Sequence, residues 1–147
     1  MGRWNEFDTT ADTGIFVEGD SPEDIFITAG LAFAEMTTDP KTIKMTERRE
    51  IYVDGDENDL LLVDFLNELL YLLDTEDFVP VEFRKAKYSD DACSTLKPTY
   101  FSVTAIGGKW EDGVNESRTE IKAITYHELM FKKMGRKVYH ARVVFDI

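Results

Sequence analysis

The sequence predicts one α+β domain over residues 1–147, with two helices packed on a mixed, mainly antiparallel sheet. Two segments carry apolar residues at helical spacing. The others alternate between apolar and polar residues or form the short apolar runs typical of strands. The order is two strands, a helix, a strand, a helix and four strands, a pattern typical of helices on one face of an antiparallel sheet. At 147 residues, 43% of them hydrophobic, the chain can bury the core that this fold needs.

The first third of the chain predicts two strands and a helix. Short strands are expected over 4–7 and 14–19, and a helix over 21–40. Ser21 is a good N-cap, and Pro22 suits the first helical position, where its missing N–H costs nothing. The apolar residues of this helix recur at helical spacing and predict its buried face: Ile25, Ala29, Ala32, Phe33 and Met36.

The remaining chain predicts a strand, a helix and four further strands. Alternation favours a strand over 41–55. The body of the second helix, 60–74, is apolar on most of its circumference, as expected for a helix buried against a sheet. Polar linkers with turn-forming residues separate the last four strands, which are predicted over 78–88, 99–108, 119–131 and 137–147.

Composition excludes several classes of function. A formal net charge of −12 argues against direct nucleic-acid binding but suits a basic protein partner or bound cations. Cys93 is the only cysteine, which excludes a disulfide within the chain and a cysteine-rich zinc site. The first ten residues lack a signal-peptide core, and the longest apolar run, 60–73, is too short to span a bilayer. We therefore expect a soluble, cytoplasmic protein without a membrane partner.

Acidic residues near the two ends of the chain form the first candidate site. In "DTTADTG" (8–14), Asp12 can lie in a simple Asx-turn or supply half of a metal site. At the other end, Asp146 adjoins the α-carboxylate of Ile147, and two adjacent carboxylates repel unless a cation intervenes. Oxygen ligands of this kind suit Ca²⁺ or Mg²⁺. Whether the strands that carry them meet is not determined by the sequence.

The segment "EIKAITYHEL" (120–129) carries the second candidate. Strand alternation places Lys122 and Ile124 on one face, and a lysine among apolar residues can contact a ligand or partner. The alternative is an exposed strand lysine near Glu120. The two histidines, His127 and His140, lack a third ligand, so structural roles are favoured over a transition-metal site.

No nucleophile, phosphate-loop or zinc-hydrolase motif accompanies these residues, so the sequence does not predict a self-contained enzyme. A third possibility, an enzyme that uses Asp12 and Asp146 as acid and base, predicts activity of the isolated protein on a small substrate.

Four segments, in the same order, resemble the archease family, whose members are small activators of the tRNA-splicing RNA ligase. They span nearly the whole chain: 7–39, 59–76, 120–129 and 141–147. The first contains "TTADTG", the third contains "KAITYH" and the fourth ends in "FDI".

This resemblance implies a role as a protein cofactor, not a catalyst. Archeases help the metal-dependent 3′–5′ RNA ligase through its guanylylation step and promote multiple turnover. The family's calcium site uses residues that match Asp12, Asp146 and Ile147. Lys122 matches the lysine of the family's K-A-x-T-Y-H motif and is expected to contact the partner.

The chain departs from the family at two positions. Thr9 stands where many members have histidine. The family often has Gly-Glu where this chain has Gly107-Gly108, so the acidic residue is either missing at Gly108 or displaced to Glu111. The alternative function is a calcium-binding or chaperone-like adaptor with no connection to RNA ligation.

Overall fold

The protein was analysed as a computed structural model, which describes residues 2–8, 12–90 and 98–147. The predicted α+β class is confirmed, since two α-helices pack against antiparallel strands. The described elements are β1 (Arg3–Asp8), β2 (Thr13–Gly19), α1 (Pro22–Thr37), β3 (Glu47–Gly55), α2 (Asn58–Glu76), β4 (Phe78–Ser89), β5 (Thr99–Lys109), β6 (Ala123–Ile124), β7 (Met130–Gly135) and β8 (Val138–Asp146).

The strands divide between two sheets. The five-stranded sheet has the order β1-β2-β8-β6. β7 pairs with the same edge of β8 as β6 does, but β7 pairs with the first half of β8 and β6 with its last two residues. The three-stranded sheet has the order β3-β5-β4. Every strand pair among the described residues is antiparallel. The last strand, β8, therefore lies at the centre of the larger sheet, which positions the end of the chain beside its beginning.

The predicted strand over 119–131 is wrong in its extent. Only Ala123–Ile124 and, later, Met130–Gly135 are strands, and β7 includes residues predicted as a polar linker. Ile121 and Ile124 are both buried, which strict alternation does not allow at a spacing of three. The Thr125 side chain donates to the Val144 carbonyl oxygen at 2.8 Å and holds the interrupted segment against β8.

The predicted strand over 41–55 begins later than expected. A short 3₁₀ helix, Pro40–Thr42, follows α1, and β3 begins only at Glu47. Helix α1 begins as predicted, since the Ser21 hydroxyl accepts a hydrogen bond from the Asp24 amide at 3.2 Å.

A loop distant in sequence caps the carboxyl end of α1. The backbone amides of Arg118 and Thr119 donate to the Thr37 and Met36 carbonyl oxygens at 3.0 and 2.9 Å. The Arg118 guanidinium also donates to the Glu35 carbonyl oxygen at 2.9 Å. These bonds satisfy carbonyl groups that have no partner within the helix. They also fix the loop that leads directly into Lys122.

Aromatic residues form the centre of the core, where both helices meet both sheets. Phe26 of α1 is fully buried and stacks on Phe101 of β5, with ring centroids 4.3 Å apart. Phe65 of α2 meets Phe26 edge to face at 5.9 Å. Phe131 of β7 lies 5.8 Å from Phe26, so this ring contacts elements of both sheets. Neither helix in the described ranges has the length and hydropathy that a bilayer crossing requires.

Gly107 and Gly108 lie within β5. A Cβ on Gly107 would overlap the Val79 carbonyl oxygen, and one on Gly108 would overlap the Lys44 carbonyl oxygen. Two backbone segments thus approach β5 so closely that only glycine fits. A glutamate therefore has no room at position 108 unless the segment around Lys44 moves.

The Gly108→Ala substitution is expected to lower the free energy of unfolding by about 1–3 kcal/mol or more, because the added methyl group displaces backbone and not a flexible side chain. Gly55→Ala is the matched control, since its Cβ would lie 3.8 Å from the nearest atom, an ordinary contact. Urea denaturation of both variants compares them. Equal stabilities of the two variants would contradict the close approach at Gly108.

Because of Tyr88 in β4, the protein is expected to lose stability at alkaline pH. Its hydroxyl donates to Asn58 Oδ1 at 2.7 Å, and burial raises the pKa of Tyr88 to about 12 from the ordinary 10.0. The native state therefore holds this proton more tightly than the unfolded chain does. The resulting stabilisation is complete below pH 10 and is lost as the pH rises towards 12.

The expected loss is about 1–2 kcal/mol of unfolding free energy, less than the whole pKa shift would give, because Tyr88 is only partly buried and solvent screens part of the effect. It should be absent in Tyr88→Phe and retained in Tyr126→Phe, whose ring is exposed. Denaturation at a series of alkaline pH values measures it. A wild-type slope that persists unchanged in Tyr88→Phe would refute the assignment to this residue.

Candidate functional site

Strand pairing brings the sequence-predicted acidic residues to one end of the larger sheet. β2 pairs with β8 in a register that runs from Gly19 opposite Tyr139 to Thr13 opposite Phe145. Continuing this register by one residue places Asp12 opposite Asp146. The two strands on which a shared site depends are therefore neighbours, a relationship that the sequence left open.

The two aspartates also occupy the same face of the sheet. Thr13 and Phe145 point into the core, where they are 3% and 0% exposed. Because side chains alternate along a strand, the positions before Thr13 and after Phe145 face the opposite, outer side. Asp146 is exposed there, and Asp12 is partly exposed. Like charges directly opposite each other on neighbouring strands destabilise a sheet unless they are neutralised.

Lys122 reaches the same end from the other side of β8. Ala123 pairs with Asp146, and the Lys122 backbone amide donates to the Asp146 carbonyl oxygen at 2.8 Å. The same register places Lys122 opposite Ile147. Its side chain is exposed and carries a positive charge beside the last residue of the sequence. The structure thus brings Asp12, Asp146, Ile147 and Lys122 together at or just beyond the ends of three neighbouring strands.

Sequence reasoning did not select Asp8, which lies at the same end. It is the last residue of β1 and pairs with Thr13. The Thr13 hydroxyl donates to Asp8 Oδ1 at 3.1 Å and to the Phe7 carbonyl oxygen at 3.2 Å. Asp8 opens the same "DTTADTG" stretch as Asp12. Its proximity to Asp12 in the sequence was the available signal, but its pairing with Thr13 required the structure.

The donor atoms at this end suit a hard cation. Asp12 and Asp146 offer carboxylate oxygens, and Ile147 offers main-chain oxygens, which match the all-oxygen coordination of Ca²⁺ or Mg²⁺. They do not match zinc or copper sites, which use nitrogen and sulfur ligands. Across residues 2–8, 12–90 and 98–147, no three His, Cys, Asp or Glu side chains converge as a preformed metal cluster. Main-chain oxygens or water would have to complete the coordination.

The structure separates the two histidines. His140 of β8 pairs with Glu18 of β2 and meets the Phe16 ring edge to face, with centroids 5.2 Å apart. His127 lies beyond Thr125, whose backbone amide donates to the Val144 carbonyl oxygen, four residues farther along β8. Thr9 and Cys93 lie outside the described residues.

Neither of the two larger clefts among the described residues encloses this end of the sheet. One of about 210 Å³ adjoins Lys122 and is lined in part by Leu73, Trp110 and Ile121. Another of about 300 Å³ lies at the opposite end of β8, beside Val138. Asp146 and Ile147 are both exposed at the strand end. Such an open arrangement suits contact with a large partner better than enclosure of a small substrate.

Comparisons with known proteins assign a family. Residues 4–147 match the model of the Archease protein family. "Protein archease" of Pyrococcus abyssi is 33% identical over 147 residues, which cover 100% of both chains. "Protein archease" of Sulfolobus acidocaldarius is 36% identical over 148 residues, again with 100% of both chains covered.

Two solved structures are similar in fold. The solution structure of Methanobacterium thermoautotrophicum protein 1598 has a TM-score of 0.80 and 30% identity, covering 98% of both chains. The crystal structure of a Thermotoga maritima protein, described as an archease and possible chaperone, has a TM-score of 0.64 and 25% identity. It covers 96% of this chain and 94% of that one.

Proposed function

The chain belongs to the archease family, and we propose that it is a protein cofactor that activates the tRNA-splicing RNA ligase. In this proposal, it promotes guanylylation of the ligase and allows multiple turnover in tRNA splicing, without catalysing ligation itself. A divalent-cation site, occupied by Ca²⁺, is required for the effect. The observation that carries the proposal is the β2–β8 register, which sets Asp12 opposite Asp146 at an exposed strand end.

The cation-binding residues are proposed to be Asp12, Asp146 and Ile147. Two carboxylates opposite each other on one face of a sheet repel, so an ion that bridges them is bound favourably. Bound Ca²⁺ would supply positive charge that neutralises these carboxylates and attracts phosphate oxygens. The Lys122 amide donates to the Asp146 carbonyl oxygen, and β2 pairs with the preceding residue, Phe145, so the Asp146 backbone is held in place before a partner arrives.

Lys122 is proposed to contact the partner. Its backbone is held by Asp146, and the loop before it is tied to the carboxyl end of α1 by Arg118 and Thr119. The exposed lysine therefore lies at the same end of the sheet as the carboxylates without being buried. At this point it can pair with a carboxylate of the ligase or with a nucleotide phosphate.

Ligation turnover tests this function. The ligase is used at a concentration well below that of its RNA substrate, with or without this protein. We expect ligation to stop after about one round without the protein and to continue over many rounds with it. Unchanged turnover, with an active ligase and a folded protein, would rule out the activator role.

The same assay distinguishes the activator role from the alternative adaptor function. The Thermotoga protein's description as a possible chaperone motivates this alternative. A chaperone-like adaptor would reduce aggregation of unrelated client proteins and would leave ligase turnover unchanged. Suppression of client aggregation without any effect on turnover would therefore favour the adaptor.

A further inference from the structure

The β7–β8 hairpin has a charge opposite to that of the rest of the chain. Residues 129–145 contain Lys132, Lys133, Arg136, Lys137 and Arg142 and no aspartate or glutamate. The chain as a whole has 17 basic and 29 acidic residues, so the rest carries 12 basic residues against all 29 acidic ones. This hairpin is thus a positive surface on a strongly acidic protein. We call residues 130–138 the basic hairpin.

The basic hairpin is exposed at its tip. All seven residues from Lys132 to Val138 are exposed to solvent. Within the described part of the chain, no salt bridge involves any of its four cations. The acidic residues that the structure describes therefore do not neutralise these charges through direct pairing.

Exposed apolar side chains lie between the cations. Met134 is 57% exposed and Val138 is 42% exposed. Met134 lies between Lys133 and Arg136 in the sequence, and Val138 directly follows Lys137. Methionine and arginine are enriched in protein interfaces, where apolar contact is combined with charge pairing at the rim. The tip therefore offers both features on one small surface.

We propose that the basic hairpin is the surface by which this protein docks on an acidic patch of the RNA ligase, with Met134 at its centre. This inference rests on the proposed activator function and adds the docking surface to it. Electrostatic complementarity would speed association and fix orientation, since oppositely charged patches steer encounter and select the correct partner.

The observations favour a protein partner over RNA at this surface. The large negative charge of the remaining chain repels an extended phosphate backbone on either side of the hairpin. Single-stranded RNA binders also present aromatic rings for bases to stack on. Tyr139, which follows the basic hairpin, is half-buried, and Lys133 Nζ lies over its ring at 5.9 Å from the centroid.

Docking and activation are separable because they use opposite ends of β8. This strand has nine residues, from Val138 to Asp146. At about 3.3 Å per residue, its ends lie about 26 Å apart. Substitutions at the hairpin tip therefore leave the carboxylate end unchanged, and the reverse also holds.

The test compares two variants that lose the same charge. One is K132Q/K133Q/R136Q/K137Q, and the matched control is K41Q/K44Q/K87Q/K109Q, which changes four other exposed lysines. Titration of the fluorescently labelled protein with the ligase, at low and high salt, gives the Kd. We expect the hairpin variant to bind about tenfold or more weakly and to lose most of the salt dependence of binding. The control should bind as the wild type does.

Two further measurements complete the test. Met134→Ala, which leaves the charges intact, should weaken binding several-fold even if the fourfold variant is poorly folded. Ligase turnover should return to the wild-type level when the hairpin variant is added at saturating concentration, because the carboxylate end is intact.

Three results would overturn the inference. One is wild-type affinity in both the fourfold variant and Met134→Ala, and the second is equal weakening in the hairpin variant and the control. The third is binding of a single-stranded RNA oligonucleotide that depends on the hairpin while ligase affinity does not. Failure of the proposed function is distinct from these, since then the wild-type protein itself would not raise ligase turnover.

Discussion

The Asp146→Ala variant is expected to leave the ligase at the turnover that it has without an activator, a complete loss of activation. Asp146 is exposed and its side chain lies outside the core, so the substitution removes a proposed cation ligand without creating a cavity. The backbone bond between its carbonyl oxygen and the Lys122 amide is retained, because it does not involve the side chain. The fold should therefore be preserved.

Stability measurements distinguish loss of a ligand from loss of structure. Without calcium, Asp146→Ala should be at least as stable as the wild type, because it removes the repulsion between Asp146 and Asp12. With calcium, only the wild type should gain stability, since an ion that binds the native state alone stabilises it. Asp56→Ala, at another exposed aspartate, is the control and should activate normally. Full activation by Asp146→Ala would contradict the metal-site mechanism.

The Phe26→Ala variant is expected to lose about 3–5 kcal/mol of unfolding free energy, the largest stability effect of any single change considered. Phe26 is fully buried and contacts the rings of Phe65, Phe101 and Phe131, which belong to α2 and to both sheets. Removing it leaves a cavity at the point where all layers of the fold meet. Those neighbours sit on different elements, so they cannot collapse together to fill it.

Phe16→Ala is the matched control for this prediction. Phe16 lies on the outer face of β2, where it is only partly buried and packs on His140. Its removal should cost much less, since it leaves no enclosed cavity. Chemical denaturation of the two variants gives the comparison. A loss at Phe26 no larger than the loss at Phe16 would show that the aromatic cluster is not the centre of the core.

Local patterns were sufficient to predict most helices and strands. The helix predicted with a body over 60–74 extends from Asn58 to Glu76. This prediction was possible because an apolar run of this length without glycine or proline favours a helix over a strand. The Ser21 cap was correct because capping depends on neighbouring residues alone. The interrupted segment 119–131 was not predictable in the same way, since Ile121 and Ile124 are both buried by tertiary contacts and not by strand alternation.

The sequence predicted the residues of the candidate site but not their proximity. Asp12, Asp146, Ile147 and Lys122 were selected from residue types and from the family resemblance, but their proximity depends on strand order. That order places β8 between β2 and β6, a long-range pairing that no local pattern specifies. Asp8 was missed because its relation to Thr13 exists only once β1 and β2 pair. Residues 132–136 of the basic hairpin were interpreted as a linker because their polar side chains resemble a loop.

A calorimetric titration of Ca²⁺ into the wild-type protein and Asp12→Asn, with Asp56→Asn as control, tests the proposed cation site most directly. Asparagine preserves the size of the side chain at position 12 and removes its charge. We expect one ion to bind per wild-type chain and per control chain, and binding to weaken by about tenfold or more in Asp12→Asn, because a charged ligand is lost. Equal calcium affinity in Asp12→Asn and the wild type, or no calcium binding by the wild type, would contradict the account.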